Sequence, residues 1–323
     1  MKKIEPKYFV GPMSKNIVDA CIEFSNENET PLGLIPSRRQ IDYNSGYVNN
    51  WTTDTFAEYI NGRAIIERDH AGAGQGYIDD DGYESLKIDC ENVEIIHIDP
   101  WKKYPKYREG LTACVNNLEF CYSNNRNIKF EVGTEAAIKE FNPTLLNTFL
   151  SDLELRLSPE IFEAIEYVSI QSGVGLNLGK RINTGAFNPN NMEQMIATCK
   201  SFDKKSKEHN GDYLSNSEYK IRFDLGLDAI NIAPEFGQLE TLCYLDEMGN
   251  DIEEYYQICY HSGRWKKWVD NNFIPENNKK EVIKISGHYM LSDDQFLLIK
   301  PDIDDKINRV IRKKLRDLNE TIR

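Results

Sequence analysis

Short apolar runs recur along the chain and are separated by polar segments long enough to hold helices. Several runs are nearly continuous stretches of Ile, Val and Phe, which is typical of parallel strands buried on both faces. The seventh run, "SKEHN", is charged, and only the pattern around it predicts a strand there. The candidate strands are residues 7–13, 32–37, 63–68, 93–99, 128–133, 166–172, 206–210 and 229–235.

The segments between these runs carry helix signals. Ser14 is a candidate N-cap for a helix whose apolar residues recur at helical spacing. Thr52 or Thr53 is expected to cap the next helix, and Gly62 to end it. Residues 188–202 and 235–248 are also predicted to form amphipathic helices. Eight strands alternating with helices predict an α/β fold, the (β/α)8 TIM barrel.

The pattern changes after residue 248. The following residues are aromatic and irregular, and residues 303–322 then predict a helix with one apolar stripe. We therefore expect a single structural domain, in which a barrel of residues 1–248 carries a C-terminal helical extension, residues 249–323, packed on the barrel or on a partner subunit. The basic residues of the last helix are expected to form a solvated face; they are Arg309, Arg312, Lys313, Lys314 and Arg316.

Composition narrows the possible partners and the compartment. Of the 323 residues, 39 are Lys or Arg and 52 are Asp or Glu, a formal net charge of −13 that disfavours nucleic acids and anionic membranes. Seven cysteines without a C-x-x-C pair are typical of reduced thiols, which indicates a cytoplasmic protein. The sequence shows neither a signal peptide nor an apolar run of the length, about 18 residues, that spans a membrane.

The histidines give the strongest chemical signal. Active sites of TIM barrels lie at the carboxyl ends of the strands. Three of the five histidines, His70, His97 and His209, fall at such ends. Imidazoles and carboxylates that converge there are typical of a divalent metal site, which can polarise a carbonyl and stabilise an enolate. We expect His70 and His209 to contact a metal or a substrate, and His97, His261 and His288 to be structural.

Two further sequence patterns concern the binding of anions and of nucleotides. Arg38-Arg39 could bind an anionic group, because guanidinium matches phosphate, or could form a surface ion pair. "GAGQG" at residues 72–76 lacks the G-x-G-x-x-G order, and no helix clearly starts there. We therefore expect no nucleotide cofactor.

Seven short segments, in order along the chain, carry a family resemblance. They are "SRRQIDYNSGYVNNWTTDTF", "RDHAG", "IIHIDP", "EVGTE", "IQSGVG", "EHNGDYLS" and "AINIAPEF". With them the chain resembles the class II sugar-bisphosphate aldolases. It is more similar still to the Z-type subunits of tagatose-bisphosphate aldolase and the ketose-phosphate 4-epimerases.

The resemblance implies roles for individual residues. Asp69 would be the catalytic acid and base, and His70 and His209 would bind the metal. Gln171 matches the position of a third metal-binding histidine, and its amide oxygen is a weaker ligand. Glu131 matches a carboxylate that can contact a metal, and we count it with Asp69 as catalytic.

The remaining site predictions concern a further ligand, the substrate and the metal. Glu135 is an alternative metal ligand close to Glu131 in sequence. Asn231 matches an asparagine that contacts substrate. Residues near the ends of the second and fourth strands are also expected to bind substrate; they are Arg38, Arg39, Gln40 and Asp99. The implied metal is zinc or manganese.

The resemblance leaves two classes of function open. The favoured one is a metal-dependent enzyme, a 4-epimerase or aldolase, that acts on a phosphorylated or otherwise anionic ketose by retro-aldol and aldol chemistry. The alternative is a non-catalytic accessory subunit that stabilises a catalytic aldolase. The expected partners are therefore a small sugar phosphate and either a second copy of this chain or an aldolase subunit.

Overall fold

A computed structural model describes residues 5–133, 142–171, 175–249 and 252–322. In these residues, all strands but β7 and β8 close a parallel barrel in the order β1-β10-β9-β6-β5-β4-β3-β2. This confirms the predicted (β/α)8 barrel, including the charged seventh strand, which forms β9. The antiparallel pair β7 and β8 was not predicted. The strands are β1 (Tyr8–Val10), β2 (Gly33–Leu34), β3 (Ile65–Ala71), β4 (Ile95–Ile98), β5 (Lys129–Val132), β6 (Ile165–Ile170), β7 (Leu176–Asn177), β8 (Ile182–Asn183), β9 (Lys205–Glu208) and β10 (Ala229–Ile232).

The helices begin where the capping residues predict. The Ser14 hydroxyl accepts the N–H of Ile17 at 3.1 Å, and Thr52, not Thr53, caps α2. Asn61, with φ of +48°, ends α2 before Gly62. The helices are α1 (Lys15–Asn28), α2 (Thr53–Ile60), α3 (Tyr83–Asn92), α4 (Tyr107–Asn124), α5 (Pro143–Arg156), α6 (Pro159–Ala164), α7 (Pro189–Ser201), α8 (Asn216–Asp224), α9 (Pro234–Met248), α10 (Glu253–Ser262), α11 (Lys279–Ser286), α12 (Asp294–Ile299) and α13 (Asp304–Ile322), with 3-10 turns at Lys266–Trp268, Pro275–Asn277 and Gly287–Tyr289.

The barrel interior holds a small apolar cluster of its own. Its buried members are Phe9, Ile35, Ile95, Tyr167 and Ala229. Because side chains alternate along a strand, the residues two positions after Ile95, Tyr167 and Ala229 face the same interior, nearer the carboxyl ends. Those residues are His97, Ser169 and Asn231. The apolar cluster therefore lies directly below a layer of polar side chains inside the barrel.

The last helix packs on the barrel along its predicted stripe. Residues of α13 contact α1, α8 and α9, and its buried side chains are Ile307, Ile311, Leu315, Leu318 and Ile322. The predicted solvated face is wrong for two residues. Arg312 forms ion pairs with Glu23 and Glu27 of α1, and Lys314 lies 2.7 Å from Glu235.

Two further features concern the cysteine thiols and the length of the helices. All seven cysteines are buried free thiols. Among the described residues, no helix combines the length and apolarity needed to cross a bilayer.

Candidate active site at the barrel mouth

Four side chains converge at the carboxyl ends of β3, β4 and β9. One ligand atom from each of Asp69, His70, His97 and His209 lies within 4.8 Å of the others. The ring centroids of His97 lie 4.9 Å from those of both His70 and His209. His97 is thus a member of the cluster, which corrects its expected role as an isolated structural residue. Its spacing of two from inward-facing Ile95 is the sequence signal for this position.

A local distortion of β3 places the first two members. The pairing of β3 with β4 shifts register between Arg68 and Ala71, and His70 has a φ of +48°. Such irregularities redirect side chains next to active sites. Here the Nδ1 of His70 lies 2.8 Å from Asp99, while its Nε2 lies 3.6 Å from Asp69.

Asp99 therefore holds His70. Its carboxylate also accepts a hydrogen bond from Gln75 at 2.9 Å, and it is only 4% exposed. Burial alone would raise the pKa of Asp99, but the hydrogen bond and charge of His70 lower it below its usual value. A carboxylate on one imidazole nitrogen fixes the ring for a metal on the other nitrogen. Asp99 is thus placed to support His70, and its predicted contact with substrate stays a prediction.

Glu131 plays the corresponding part for His209. Its Oε1 lies 2.7 Å from the Nε2 of His209, and its Oε2 accepts a hydrogen bond from Lys207 at 2.9 Å. Lys207 also donates to Glu67, and all three of Glu67, Glu131 and Lys207 are buried inside the barrel. Glu131 thus supports the histidine that it contacts, and its predicted catalytic role stays a prediction.

The charges inside the barrel are unequally distributed. Burial would raise the pKa of Glu131, but Lys207 and two histidines hold it well below its usual value. Burial raises the pKa of Glu67 well above its usual value. Lys207 therefore faces one ionised carboxylate, Glu131, and one carboxyl that favours its neutral form. Sequence analysis missed Lys207, although its spacing of two from His209 puts both on one face of β9.

The donor set fits a divalent metal. Three imidazoles with a nearby carboxylate are ligands that zinc, manganese and iron all accept. His97 and His209 are buried, while Asp69 and His70 are partly exposed, so the cluster opens toward solvent on one side. Gln171 follows β6 at the same end of the barrel, and its role as a ligand stays a prediction. Glu135 lies outside the described residues.

Two buried polar atoms in the same layer have no partner. Neither the Oδ1 of Asn231 nor the hydroxyl of Ser169 has a hydrogen bond to any described residue, and both side chains are nearly inaccessible. An unpaired buried polar atom costs free energy unless a ligand or water satisfies it. Asn231 was predicted as a substrate contact, and its unpaired oxygen is consistent with that role. Ser169 was not predicted.

A cavity of about 460 Å³ adjoins Asp69. Its wall includes Arg39 and Gln40 from the segment after β2, together with residues of the C-terminal extension. The Gln40 amide is bound to the N–H of Ser37 at 2.7 Å and to the sulfur of Met13 at 3.0 Å, so it is held in place in the wall. Asp69 is the member of the histidine cluster that reaches this cavity.

Arg38 does not reach the cavity. Its guanidinium is 2% exposed and binds Asp42 at 3.0 Å, Asp80 at 2.6 Å and the carbonyl of Gly72 at 2.8 Å. These contacts join the segments that follow β2 and β3. Arg38 is therefore a structural cation, which corrects its prediction as a substrate contact.

The chain is similar in fold to several solved structures. A probable tagatose 6-phosphate kinase from Sinorhizobium meliloti is 12% identical, with a TM-score of 0.74 over 98% of this chain and 100% of its own. The chain shares the barrel fold of this protein. Fructose-bisphosphate aldolase of Campylobacter jejuni is 11% identical, with a TM-score of 0.59 over 98% of this chain and 90% of its own.

A third solved structure shares the fold. The fructuronate-tagaturonate epimerase of Cohnella laeviribosi is 11% identical, with a TM-score of 0.58 over 98% of this chain and 79% of its own. No protein-family model and no curated protein matches the sequence. At these identities the likeness shows a shared barrel fold and nothing more, and the chemistry depends on the chain's own residues.

Proposed function

We propose that this protein is a metal-dependent enzyme that cleaves and re-forms a carbon–carbon bond of an anionic ketose, as a 4-epimerase or an aldolase. The observation that carries the proposal is the convergence of Asp69 with His70, His97 and His209 beside a cavity. An accessory subunit would have no chemical need for this arrangement. The likeness in fold to an aldolase and an epimerase supports the same class of reaction.

The three histidines would hold the ion. His70 is oriented by Asp99, and His209 by Glu131, at 2.8 and 2.7 Å. A divalent ion supplies Lewis acidity, which polarises a substrate carbonyl. Asp99 and Glu131 keep the two imidazoles in one orientation before the substrate arrives, as catalytic groups require.

Asp69 would move the substrate proton. Its carboxylate lines the cavity and lies at the open side of the histidine cluster. As a general base it accepts the proton of the hydroxyl that is β to the carbonyl. The electrons of that O–H bond form the aldehyde, and the electrons of the breaking C–C bond form the enolate of the other fragment. Asp69 returns the proton when the bond re-forms.

The fate of the aldehyde separates the two activities. Re-addition after the aldehyde has turned its other face to the enolate inverts C4 and gives an epimer. If the enolate instead takes up at carbon the proton that Asp69 accepted, both fragments can leave and the reaction is that of an aldolase. Asn231 and Ser169, with their unpaired buried oxygens, would bind substrate hydroxyls in either case.

The test combines metal content with turnover. The purified protein is loaded with Mn²⁺ or Zn²⁺, its bound metal is measured by mass spectrometry, and it is incubated with a panel of ketose phosphates and keto-uronates. We expect about one ion per chain, and either C4 epimers or aldehyde products. Asp69→Asn should lower turnover by about 10²- to 10⁴-fold.

Two outcomes would overturn the proposal. One is a chain that binds no divalent ion. The other is a metal-loaded chain without turnover of any panel member, whose biological activity survives His70→Ala; this second result would favour the accessory subunit.

A further inference from the structure

The cavity beside Asp69 is lined by positive charge in a protein of net charge −13. Arg39 contributes from the segment after β2, and Arg264, Lys266 and Lys267 contribute from the extension that follows α10. Asp69 is the acidic residue of its wall. Cationic side chains more than 220 positions apart in sequence thus line the same cavity.

Within the described part of the chain, these cations lack carboxylate partners. Among the described residues, no Asp or Glu oxygen lies within 4.0 Å of a charged nitrogen of Arg39, Arg264 or Lys267. The fully buried cations Arg38, Arg68, Lys207 and Arg222, in contrast, each have a carboxylate partner. Burial lowers the pKa of Lys267, and the nearby charges of Arg39 and Arg264 lower it further. Like charges that crowd without a counter-ion are stabilised when an anion binds between them.

The central cation, Arg264, is held rigidly. Its guanidinium lies 5.0 Å from the ring centroids of both Tyr47 and Tyr289, and it donates a hydrogen bond to the hydroxyl of Tyr77 at 2.5 Å. Stacking fixes the plane of an arginine fork and lowers the entropy lost when it binds an anion. The rings come from both the barrel and the extension, so the guanidinium is positioned where the two meet.

His288 is an unpaired polar residue in the wall of the same cavity. Its side chain is fully buried and lines the same cavity, yet neither ring nitrogen has a hydrogen bond to a described residue. A buried imidazole without a partner loses its hydration without compensation. The imidazole therefore adds an unpaired polar group behind the cavity wall, beside the cations.

We propose that Arg39, Arg264 and Lys267 form the subsite for the terminal anionic group of the substrate, a phosphate or a carboxylate. That the ligand is a ketose rests on the proposed function. That the cavity binds an anion rests on the cavity residues alone. Because Asp69 lines the same cavity, one ligand can place its anion against the cations and its reacting hydroxyl against Asp69. The C-terminal extension then determines which sugars the barrel accepts.

The first test measures binding without turnover. The metal-loaded protein is titrated calorimetrically with inorganic phosphate, glycerol 3-phosphate and glucuronate at low ionic strength. We expect Arg39→Gln and Lys267→Gln each to weaken binding of the preferred anion by at least tenfold. Lys313→Gln replaces an exposed lysine on α13 that does not line the cavity; this variant is the matched control and should bind as the unchanged protein does.

The probes distinguish the two anions. Tighter binding of glycerol 3-phosphate indicates a phosphomonoester substrate, and tighter binding of glucuronate indicates a sugar acid. Unchanged affinity in both cavity variants, or no binding of any probe, would overturn the proposal. Both variants replace side chains that have no ion pair in the described structure, so their folding should be preserved.

The second test links the subsite to the reaction. The substrate is a ketose that the enzyme is found to turn over. Arg39→Gln and Lys267→Gln should raise KM at least tenfold and change kcat little, because Arg39 and Lys267 contact a part of the substrate that does not react. A fall in kcat without a change in KM would contradict this role. If the anions bind as expected but no ketose is turned over, the subsite stands and the proposed reaction fails.

Discussion

The Nε2 of His209 lies 2.7 Å from Oε1 of Glu131, a carboxylate that in turn accepts a hydrogen bond from Lys207 at 2.9 Å. This chain of contacts runs from the sealed barrel interior to the candidate metal centre. It makes the orientation of His209 depend on two residues that no solvent reaches. The candidate metal centre is thus supported at His209 by Glu131 and Lys207, and at His70 by Asp99.

Removing the charge of Glu131 should weaken metal binding. Glu131→Gln keeps the shape of the side chain but no longer favours one orientation and tautomer of His209. Loss of such a supporting carboxylate typically lowers metal affinity about 10- to 100-fold. A competition titration with a chelating indicator and Zn²⁺ or Co²⁺ measures the metal affinity. Glu166→Gln, which alters a carboxylate paired with Lys205 on the barrel surface, is the control. Equal affinities in the two variants would show that Glu131 does not support the centre.

We expect His97 to be required for tight binding of the metal ion. It is buried against both His70 and His209, with ring centroids 4.9 Å from each. We expect His97→Gln to lose at least tenfold in metal affinity, since an amide is a weaker ligand than an imidazole. Metal per chain after dialysis, measured by mass spectrometry, gives the result. His261→Ala removes an exposed histidine of α10 and should retain the ion. Full metal content in His97→Gln would restrict the centre to the remaining residues.

Lys207 should contribute strongly to stability. It is fully buried, and its ammonium group contacts Glu67 and Glu131 and lies 3.7 Å from the ring centroid of Phe9. Lys207→Met leaves a buried carboxylate without its counter-ion, which costs about 3–5 kcal/mol. Urea unfolding followed by circular dichroism measures the change. The double variant Lys207→Met with Glu131→Gln should recover part of the loss, and a purely additive result would argue against coupling between the two charges.

The barrel itself was predictable from sequence, because buried parallel strands leave continuous Ile and Val runs and Ser14 marks a helix start. The convergence of His70 and His209 followed from strand ends meeting at one edge. The role of His97 was not recognised, since one histidine in an apolar strand gives no sign of which distant rings it will meet. Arg38 and Arg39 are adjacent and chemically identical. Their different roles depend on Asp80 and the Gly72 carbonyl, which only the folded chain brings to Arg38.

The two neighbouring arginines should therefore respond differently to truncation. Arg38→Ala leaves Asp42 buried without its cation and should lower the free energy of unfolding by about 3–5 kcal/mol. Arg39→Ala removes an exposed side chain and should change it by no more than about 0.5 kcal/mol. Urea unfolding of both variants under one set of conditions makes the comparison. Similar losses in the two would contradict the assignment of Arg38 as structural and Arg39 as a group of the cavity wall.

Asp212 should make stability depend on pH. Its Oδ1 accepts the N–H groups of Ala233 and Glu235 at 3.0 and 2.8 Å at the start of α9. Burial, together with the charge of Glu235, raises the pKa of Asp212 to about 8, from 3.8 for a solvated carboxyl. Between these two values the folded chain binds more protons than the unfolded chain, so the free energy of unfolding falls as pH rises. This contribution is fully present below about pH 4 and is lost as pH rises through about 8.

Asp212→Asn isolates this effect. The amide keeps a carbonyl oxygen for the two N–H groups of α9 but does not titrate. Urea unfolding at pH 5, 6, 7 and 8 should therefore show a steeper fall in stability for the unchanged protein than for the variant, by up to about 1.4 kcal/mol per pH unit. Glu240, whose pKa burial raises to about 7, is common to both chains, so its contribution cancels in the difference. Parallel pH profiles would mean that Asp212 is already ionised in the folded protein and that its contacts with α9 outweigh its burial.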